Sequence, residues 1–418
     1  MSVSDPKEIK EEQQGQSAGR SRRDDYYRKW QYNRPLITGV LIALSLVALI
    51  AVLWLAKRFD STTGRKQQSG TSGSVAGTIS TVRLELPFFS QPEYLVGTGV
   101  IAYMESDLSQ NVSEVLSPHR HGQQLDAGYG VTLNFDITAM PAGYQVDAIR
   151  VEISENKAFD TPRVIPLSTA DRSVNVTCLK TGTQYYYRVV LTVSDGSEVL
   201  GQGSFRTADT PRLLSVEGIS NVRDFGAWKT ETGKTVRQGL LYRGSELDGV
   251  TDEACLLTEN GKDVLLNILN IKTQLDLRWN VQAEPLAGGA EHRSYGTAAY
   301  SELLLEENNK KVRALFADLA DPGIYPAYIH CTHGCNQTGT VCSLLGLLLG
   351  MSREDVIRAH ELSALSMGNP NTESLEAMIA ELEKREGETL AQKTENYLLS
   401  VGVTQQQIDS IRQIFLTD

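Results

Sequence analysis

The sequence predicts a multidomain chain: a single transmembrane helix, a β-sandwich, and a three-layer α/β domain with a helical C-terminus. Three observations carry this reading. Leu36 to Ala56 is a 21-residue run without a charge, long enough to cross a hydrocarbon core of about 30 Å. Residues 81–210 alternate apolar and polar positions at period two in short bursts divided by turn signals, the pattern of an antiparallel sandwich. From Arg212 onward strand-like runs alternate with helical ones, the order of an α/β domain.

At 418 residues there is room for two or three domains that each bury a core. Residues 1–35 form a polar, basic tail without core-forming pattern, expected to be disordered. The apolar run 36–56 is too long for a cleaved signal peptide. Six basic residues precede it, from Arg20 to Arg34, and four follow, from Lys57 to Lys66. That bias places the N-terminus in the cytoplasm and the folded parts outside it, on a cell membrane. Tyr26, Tyr27, Trp30 and Tyr32 on one side and Trp54 on the other suit the interfaces. Residues 57–80, rich in Ser, Gly and Thr, read as a flexible linker.

Charge is unevenly placed. Residues 1–58 carry ten Lys/Arg against six Asp/Glu, and the remaining 360 carry 30 against 45, a net of −15. So acidic a body excludes nucleic acid as a partner, which requires a basic face. Five cysteines (178, 255, 331, 335 and 342) are too few for a disulfide framework.

In the sandwich region the strands are expected over Val131–Ile137, Ala148–Ile153, Ser173–Thr177 and Val199–Arg206. Leu179 to Val189 (LKTGTQYYYRV) resembles the corner and following strand of fibronectin type III domains. There a leucine plugs the core and a tyrosine hydroxyl bonds back to the corner backbone. The resemblance implies a spacer or adhesion module over 81–210 whose protein partner is not specified. Residues 81–125 are assigned to this domain as its first strand and an addition. His119 and His121, with no carboxylate or cysteine nearby, read as solvated loop residues rather than a metal site.

In the last domain a hairpin is expected around Thr232-Gly233-Lys234 and strands over Ile271–Arg278 and Ala327–Ile329. Helices are expected over Glu306–Leu319, Val341–Met351, Ser352–Leu365, Thr372–Glu386, Leu390–Val401 and Thr404–Phe415. Ser352 is placed as an N-cap with Asp355 at N3, and Gly402 as a stop. Between strand and helix lies His330-Cys331-Thr332-His333-Gly334-Cys335-Asn336-Gln337-Thr338-Gly339. A strand, a Gly-containing turn and a helix N-terminus make an anion site, where backbone N–H groups converge and the helix dipole adds about half a positive charge. A cysteine at the start of such a turn has its thiolate stabilised by the same donors. The phosphate-binding segment is therefore Thr332, His333, Gly334, Cys335, Asn336 and Gln337.

Residues 215–418 resemble the bacterial tyrosine-phosphatase-like family, related to dual-specificity and lipid phosphatases. The matching blocks are Asn221–Gly226, Leu241–Arg243, Leu275–Arg278, His330–Gly339 and Glu395–Leu398 with Gly402–Thr404. The resemblance implies a metal-free, cofactor-free reaction on a phosphorylated protein, peptide or lipid headgroup: thiolate attack on a phosphate monoester, a phosphocysteine intermediate, then hydrolysis. In the family the loop reads His-Cys, five residues, Arg, then Ser or Thr. The arginine gathers phosphoryl charge, and the aspartate before it is thought to act as general acid. Position by position, Cys331 stands at the nucleophile and Thr338 at the hydroxyl that assists it. Gln337 stands at the arginine and Asn336 at the aspartate. Glutamine keeps a donor but loses the charge and the planar fork; asparagine cannot protonate a leaving oxygen.

The leading expectation is a phosphatase-like ectodomain with impaired hydrolysis that binds phosphorylated ligands. One alternative is an active phosphomonoester hydrolase using Cys331. Arg223, Asp224, Arg243 and Arg278 are its candidate cleft residues, and Asp224 or Asp276 a replacement acid or base. A second alternative is a metal- or redox-sensing loop, since His330, Cys331, His333 and Cys335 crowd soft ligands into six residues. Zinc would need them to converge on one point, and a Cys331–Cys335 disulfide would need Cα atoms within about 7 Å.

Overall fold

The computed structural model describes residues 83–119, 125–139, 142–194, 196, 198–279, 285–367 and 370–417. The anticipated tail, anchor and linker lie outside these residues, as do Arg120, His121 and Glu284. Among the described residues no helix is long and apolar enough to cross a membrane.

The described chain opens with β1 (Arg83–Glu85), then α1 (Thr98–Glu105) and α2 (Val112–Leu116). Seven strands follow: β2 (Val131–Asn134), β3 (Asp136–Ala139), β4 (Val146–Ser154), β5 (Arg163–Leu167), β6 (Ser173–Val176), β7 (Gln184–Val193) and β8 (Glu198–Arg206). One antiparallel sheet has the order β5-β4-β7-β8, and the pairs β2-β6 and β1-β3 oppose it. Leu133, Val151, Tyr187, Val189, Leu191 and Phe205 meet in one buried cluster. The single strand expected over 131–137 is two. β2 pairs with β6 and β3 with β1, and buried Phe135 marks the transfer, its N–H bonded to the Arg172 carbonyl at 2.8 Å. At the corner Leu179 is buried, and the Tyr185 hydroxyl accepts from the Lys180 N–H at 2.8 Å.

The assignment of 81–125 to the sandwich is corrected. β1 belongs there, but α1 and α2 pack on the last domain. Val100, Tyr103, Val112 and Leu116 share a cluster with Leu362, Ala364 and Leu365. Tyr103 Oη donates to Glu361 at 2.5 Å, and Arg358 donates to the carbonyls of Tyr103 (2.9 Å) and Ser106 (2.5 Å). The Thr98–Glu105 run lacks period-two alternation, so it has no sheet face to offer. Arg358→Ala removes both bonds, leaves the Ser106 carbonyl without a donor among the described residues, and is expected to cost about 2–3 kcal/mol. Denaturant unfolding checks this, and a loss under about 0.5 kcal/mol would overturn it.

The last domain contains β9 (Arg223–Asp224), β10 (Leu241–Gly244), α3 (Glu259–Asp263), β11 (Thr273–Asp276), β12 (Glu291–Ser294), α4 (Asn309–Leu319), β13 (Ala327–His330) and α5 (Asn336–Leu349). It closes with α6 (Arg353–Glu361), α7 (Ala364–Met367), α8 (Thr372–Glu383), α9 (Leu390–Ser400) and α10 (Gln405–Phe415). The sheet order is β12-β11-β13-β10-β9, parallel except for β9. Alternation along β13 sorts the two faces. Ala327 and Ile329 pack with α4, α5 and the C-terminal helices. Tyr328 packs with Tyr242, Leu265 and Ile271 on the other side. Three layers result, as expected.

Ser352 caps α6, its hydroxyl accepting from Asp355 N–H at 3.0 Å. Gly350, left-handed at φ 84°, ends α5. The helix expected from Val341 begins five residues earlier because the Asn-Gln-Thr-Gly-Thr segment, a poor helix former, is held by its tertiary contacts. The two folded parts meet through Arg212. Its guanidinium donates to the carbonyls of Cys178 (2.7 Å) and Leu179 (2.9 Å) on one side and to Asp224 (2.7 Å) on the other.

Candidate active site

β13 delivers His330 to the carboxyl edge of the sheet, where open α/β sheets bind their ligands. The chain then turns through Cys331–Cys335 into α5. Gly334 is left-handed (φ 66°), and Cys335 returns to the right-handed region (φ −103°, ψ −65°). That change of hand turns successive N–H groups to one side. Among the described residues the N–H groups of 332–338 meet no backbone acceptor, and the first bond into α5 runs from Gly339 N–H to the Cys335 carbonyl at 2.9 Å. A side chain at 334 would overlap the Gly244 carbonyl, so glycine lets the loop sit directly on the end of β10.

The loop carbonyls are held from behind. Glu246 N–H donates to Thr332 O at 2.9 Å, Asn221 Nδ2 to His333 O at 2.9 Å, and Arg243 Nη2 to Gly334 O at 2.8 Å. His330 is fully buried, and burial pushes its pKa below the usual histidine range. Gln274 Nε2 lies 2.9 Å from His330 Nε2, so the network assigns the proton to Nδ1, which faces the Cys331 carbonyl at 3.2 Å. With the carbonyls engaged outward, the amides are left for a ligand.

Cys331 is 2% exposed at the floor of this cradle. Thr338 is buried and its hydroxyl has no partner among the described residues, which leaves it available to the thiolate or to an oxyanion. Asn336 is exposed and Gln337 half-buried. Asn336 Oδ1 accepts from Tyr300 Oη at 2.9 Å. Burial, then the charges of Cys335 and Cys331, push the Tyr300 phenol up, so it stays a protonated donor. Sequence reasoning missed Tyr300: it lies 36 residues upstream in a stretch that matches no motif. His333 reaches Asp252 at 3.1 Å across the rim.

The four proposed cleft residues are not at the mouth. Arg278 is closed around Asp276 (2.6 Å), Asp248 (2.7 Å) and Glu246. Asp224 is paired with Arg212 and also accepts from the N–H groups of Gly226 (2.8 Å) and Gly239 (2.7 Å). Arg223 donates to Asn221, to the Ala359 carbonyl and to Ser363. Arg243 supports the loop from beneath. Asp276 is likewise bound to Arg278 and buried. The sequence named these residues because they carry charge; it did not show which partners they meet.

Residues 214–417 match the model of the tyrosine phosphatase family. This segment is a tyrosine phosphatase family domain. Among the solved structures similar to the chain are two catalytic-core structures. One is the core catalytic domain of the PP-IP phosphatase Siw14 from S. cerevisiae, at 15% identity, covering 33% of this chain and 78% of that one with a TM-score of 0.26. The other is described as the Siw14 catalytic core, at 15% identity, covering 38% and 88% with a TM-score of 0.27. No curated protein matches the chain.

Within the phosphatase-family domain the soft ligands of the loop diverge. His330 points back to Gln274 while His333 turns to Asp252 on the rim. All five cysteines are free thiols, and burial pushes Cys335 and Cys342 above the usual thiol range.

Proposed function

We propose that the chain is a membrane-anchored phosphatase-family protein that holds phosphorylated ligands in the 331–338 loop and hydrolyses them poorly. One observation carries the reading: the amide cradle is assembled and braced, yet Arg223, Arg243 and Arg278 are all committed away from its mouth. Phosphoryl transfer depends chiefly on positioning and charge stabilisation, and an arginine supplied to such a site can be worth 10³–10⁵ in rate. Gln337 supplies no charge. The ligand class is a phosphate monoester on a protein, peptide or lipid headgroup. Leu36–Ala56 is the anchor, with the N-terminus cytoplasmic, and the sandwich is a fibronectin type III-like spacer or adhesion module.

The full chain is expected to bind orthophosphate and a phosphotyrosine peptide by calorimetry while turning over an aryl phosphate near background. Binding is expected to survive Cys331→Ser. Robust wild-type turnover that disappears in Cys331→Ser would sink the reading.

A second reading, residual hydrolysis, is favoured by the Tyr300 hydroxyl at Asn336. A phenol there is placed to protonate a leaving oxygen where the family carries its acid. On this reading Tyr300→Phe lowers the residual rate by roughly 10² and leaves orthophosphate affinity unchanged. An unaltered rate removes the phenol from the chemistry.

A further inference from the structure

Beneath the phosphate loop lies a small, partly open cavity of about 20 Å³ whose wall includes Arg223, Arg243, Trp228, Cys342, Ser343 and Met351. Both arginines are 3% exposed. Arg223 spends its donors on neutral oxygens: Asn221, the Ala359 carbonyl and the Ser363 hydroxyl. Arg243 gives Nη2 to the Gly334 carbonyl, and its buried Nε has no acceptor. Neither makes an ion pair with a carboxylate among the described residues. Asp224 also lines the cavity, but its carboxylate is held by Arg212, Gly226 N–H and Gly239 N–H. Asp126, whose charge is felt at Arg223, accepts from Asn221 N–H (2.9 Å) and Ser366 Oγ (2.5 Å) and is not part of the wall.

Two adjacent buried cations without a counter-charge are strongly unfavourable. Burial and the repulsion of Arg243 both disfavour the charge on Arg223. A guanidinium does not shed its proton in a protein, and Cys342 and Cys335, which would favour the charge on Arg223 as thiolates, are held toward the neutral thiol by burial, so the relief falls to an anion. We propose that Arg223 and Arg243 enclose a binding site for one halide-sized monovalent anion, such as chloride, beneath the phosphate loop. The volume selects the class. A cavity of roughly 10–15 Å³ or more holds a water-sized body, and about 20 Å³ suits a small monovalent ion better than phosphate or sulfate. A neutral water would fill the space but not balance the charge. The site is separate from the loop's amide cradle, because Arg243 has one arm on the Gly334 carbonyl and turns Nε elsewhere. It does not depend on the proposed function.

The test uses ³⁵Cl NMR on the full chain in a gluconate buffer. Chloride is expected to show excess line broadening that saturates, is displaced by bromide, and persists when orthophosphate saturates the loop. Arg243→Gln is expected to weaken chloride at least tenfold. Cys342→Leu, which fills the cavity and keeps both guanidiniums, is expected to abolish the broadening while the chain still unfolds cooperatively. The proposal fails if chloride shows no excess broadening, the result for a site that holds water only. It also fails if orthophosphate removes the broadening, since the ion then sits in the loop, or if Cys342→Leu leaves it intact. Absent orthophosphate binding with chloride retained would defeat the functional reading alone.

Discussion

The double change Gln337→Arg, Asn336→Asp is expected to hydrolyse an aryl phosphate at least about 10³ times faster than the wild type. The cradle it needs is present: the amides of 332–338 meet no backbone acceptor among the described residues, the loop carbonyls are tied down, and Cys331 lies at the floor. Gln337 is half-buried in the first turn of α5, where a guanidinium could reach a bound phosphoryl group from the mouth. Most of the gain is expected from Gln337→Arg alone, and the two effects need not multiply. An aspartate at 336 inherits the Tyr300 hydrogen bond. A bond donated to a carboxylate favours its ionised form, so the restored acid is expected to work best at mildly acidic pH. Steady-state rates across pH provide the check. A double variant that binds orthophosphate yet remains silent would mean that the loop geometry, and not its charge, is deficient.

Arg278→Ala is expected to be the most destabilising single change, costing about 3–5 kcal/mol. The Arg278 side chain is 4% exposed and meets Glu246, Asp248 and Asp276 at 0%, 7% and 0%. Its loss leaves three carboxylates without their shared cation, with backbone N–H donors alone. Burial pushes Asp276 and Asp248 up, but bonds to Arg278 and nearby positive charge outweigh this and hold both below the usual carboxylate range. The sign follows. Depressed folded-state pKa values contribute stability that is present above the unfolded value of about 3.9 and lost as pH falls through the folded values. In Arg278→Ala the same carboxyls lose their cation and keep only the N–H donors of residue 278 and Val250, so their pKa values rise and protonation relieves the defect. The deficit is therefore expected to be largest at neutral pH and to shrink on acidification. Urea unfolding at pH 7 and pH 5 measures it, and a deficit below about 1 kcal/mol at pH 7 would refute the assignment. Because Glu246 N–H holds the Thr332 carbonyl, phosphate affinity is expected to fall as well.

Local chemistry made much of this architecture legible. The Ser352 cap, the Gly402 stop and the strand–turn–helix at 330–339 each depend on neighbours within a few residues, and each is present. The corner tyrosine was readable for the same reason. Contacts distant in sequence were not. Arg223 and Asp224 are adjacent on a strand, so they face opposite ways. That much was readable, but the partners Ser363 and Arg212 were not. Tyr300 meets Asn336 from a backbone at φ 53°, a conformation a non-glycine residue seldom takes. Helices α1 and α2 pack on residues some 250 positions away, and nothing in their short apolar pattern names that surface.

Arg212 bears on where the folding unit begins. The family match starts at residue 214, which excludes both Arg212 and Asp126. Excision at that boundary would leave the Asp224 carboxylate buried without its cation and the Asn221 N–H without Asp126, in the segment that supports the His333 carbonyl through Asn221 Nδ2. The loop borrows part of its scaffold from upstream. Residues 126–417, rather than 214–417, are the shortest stretch that contains these supports.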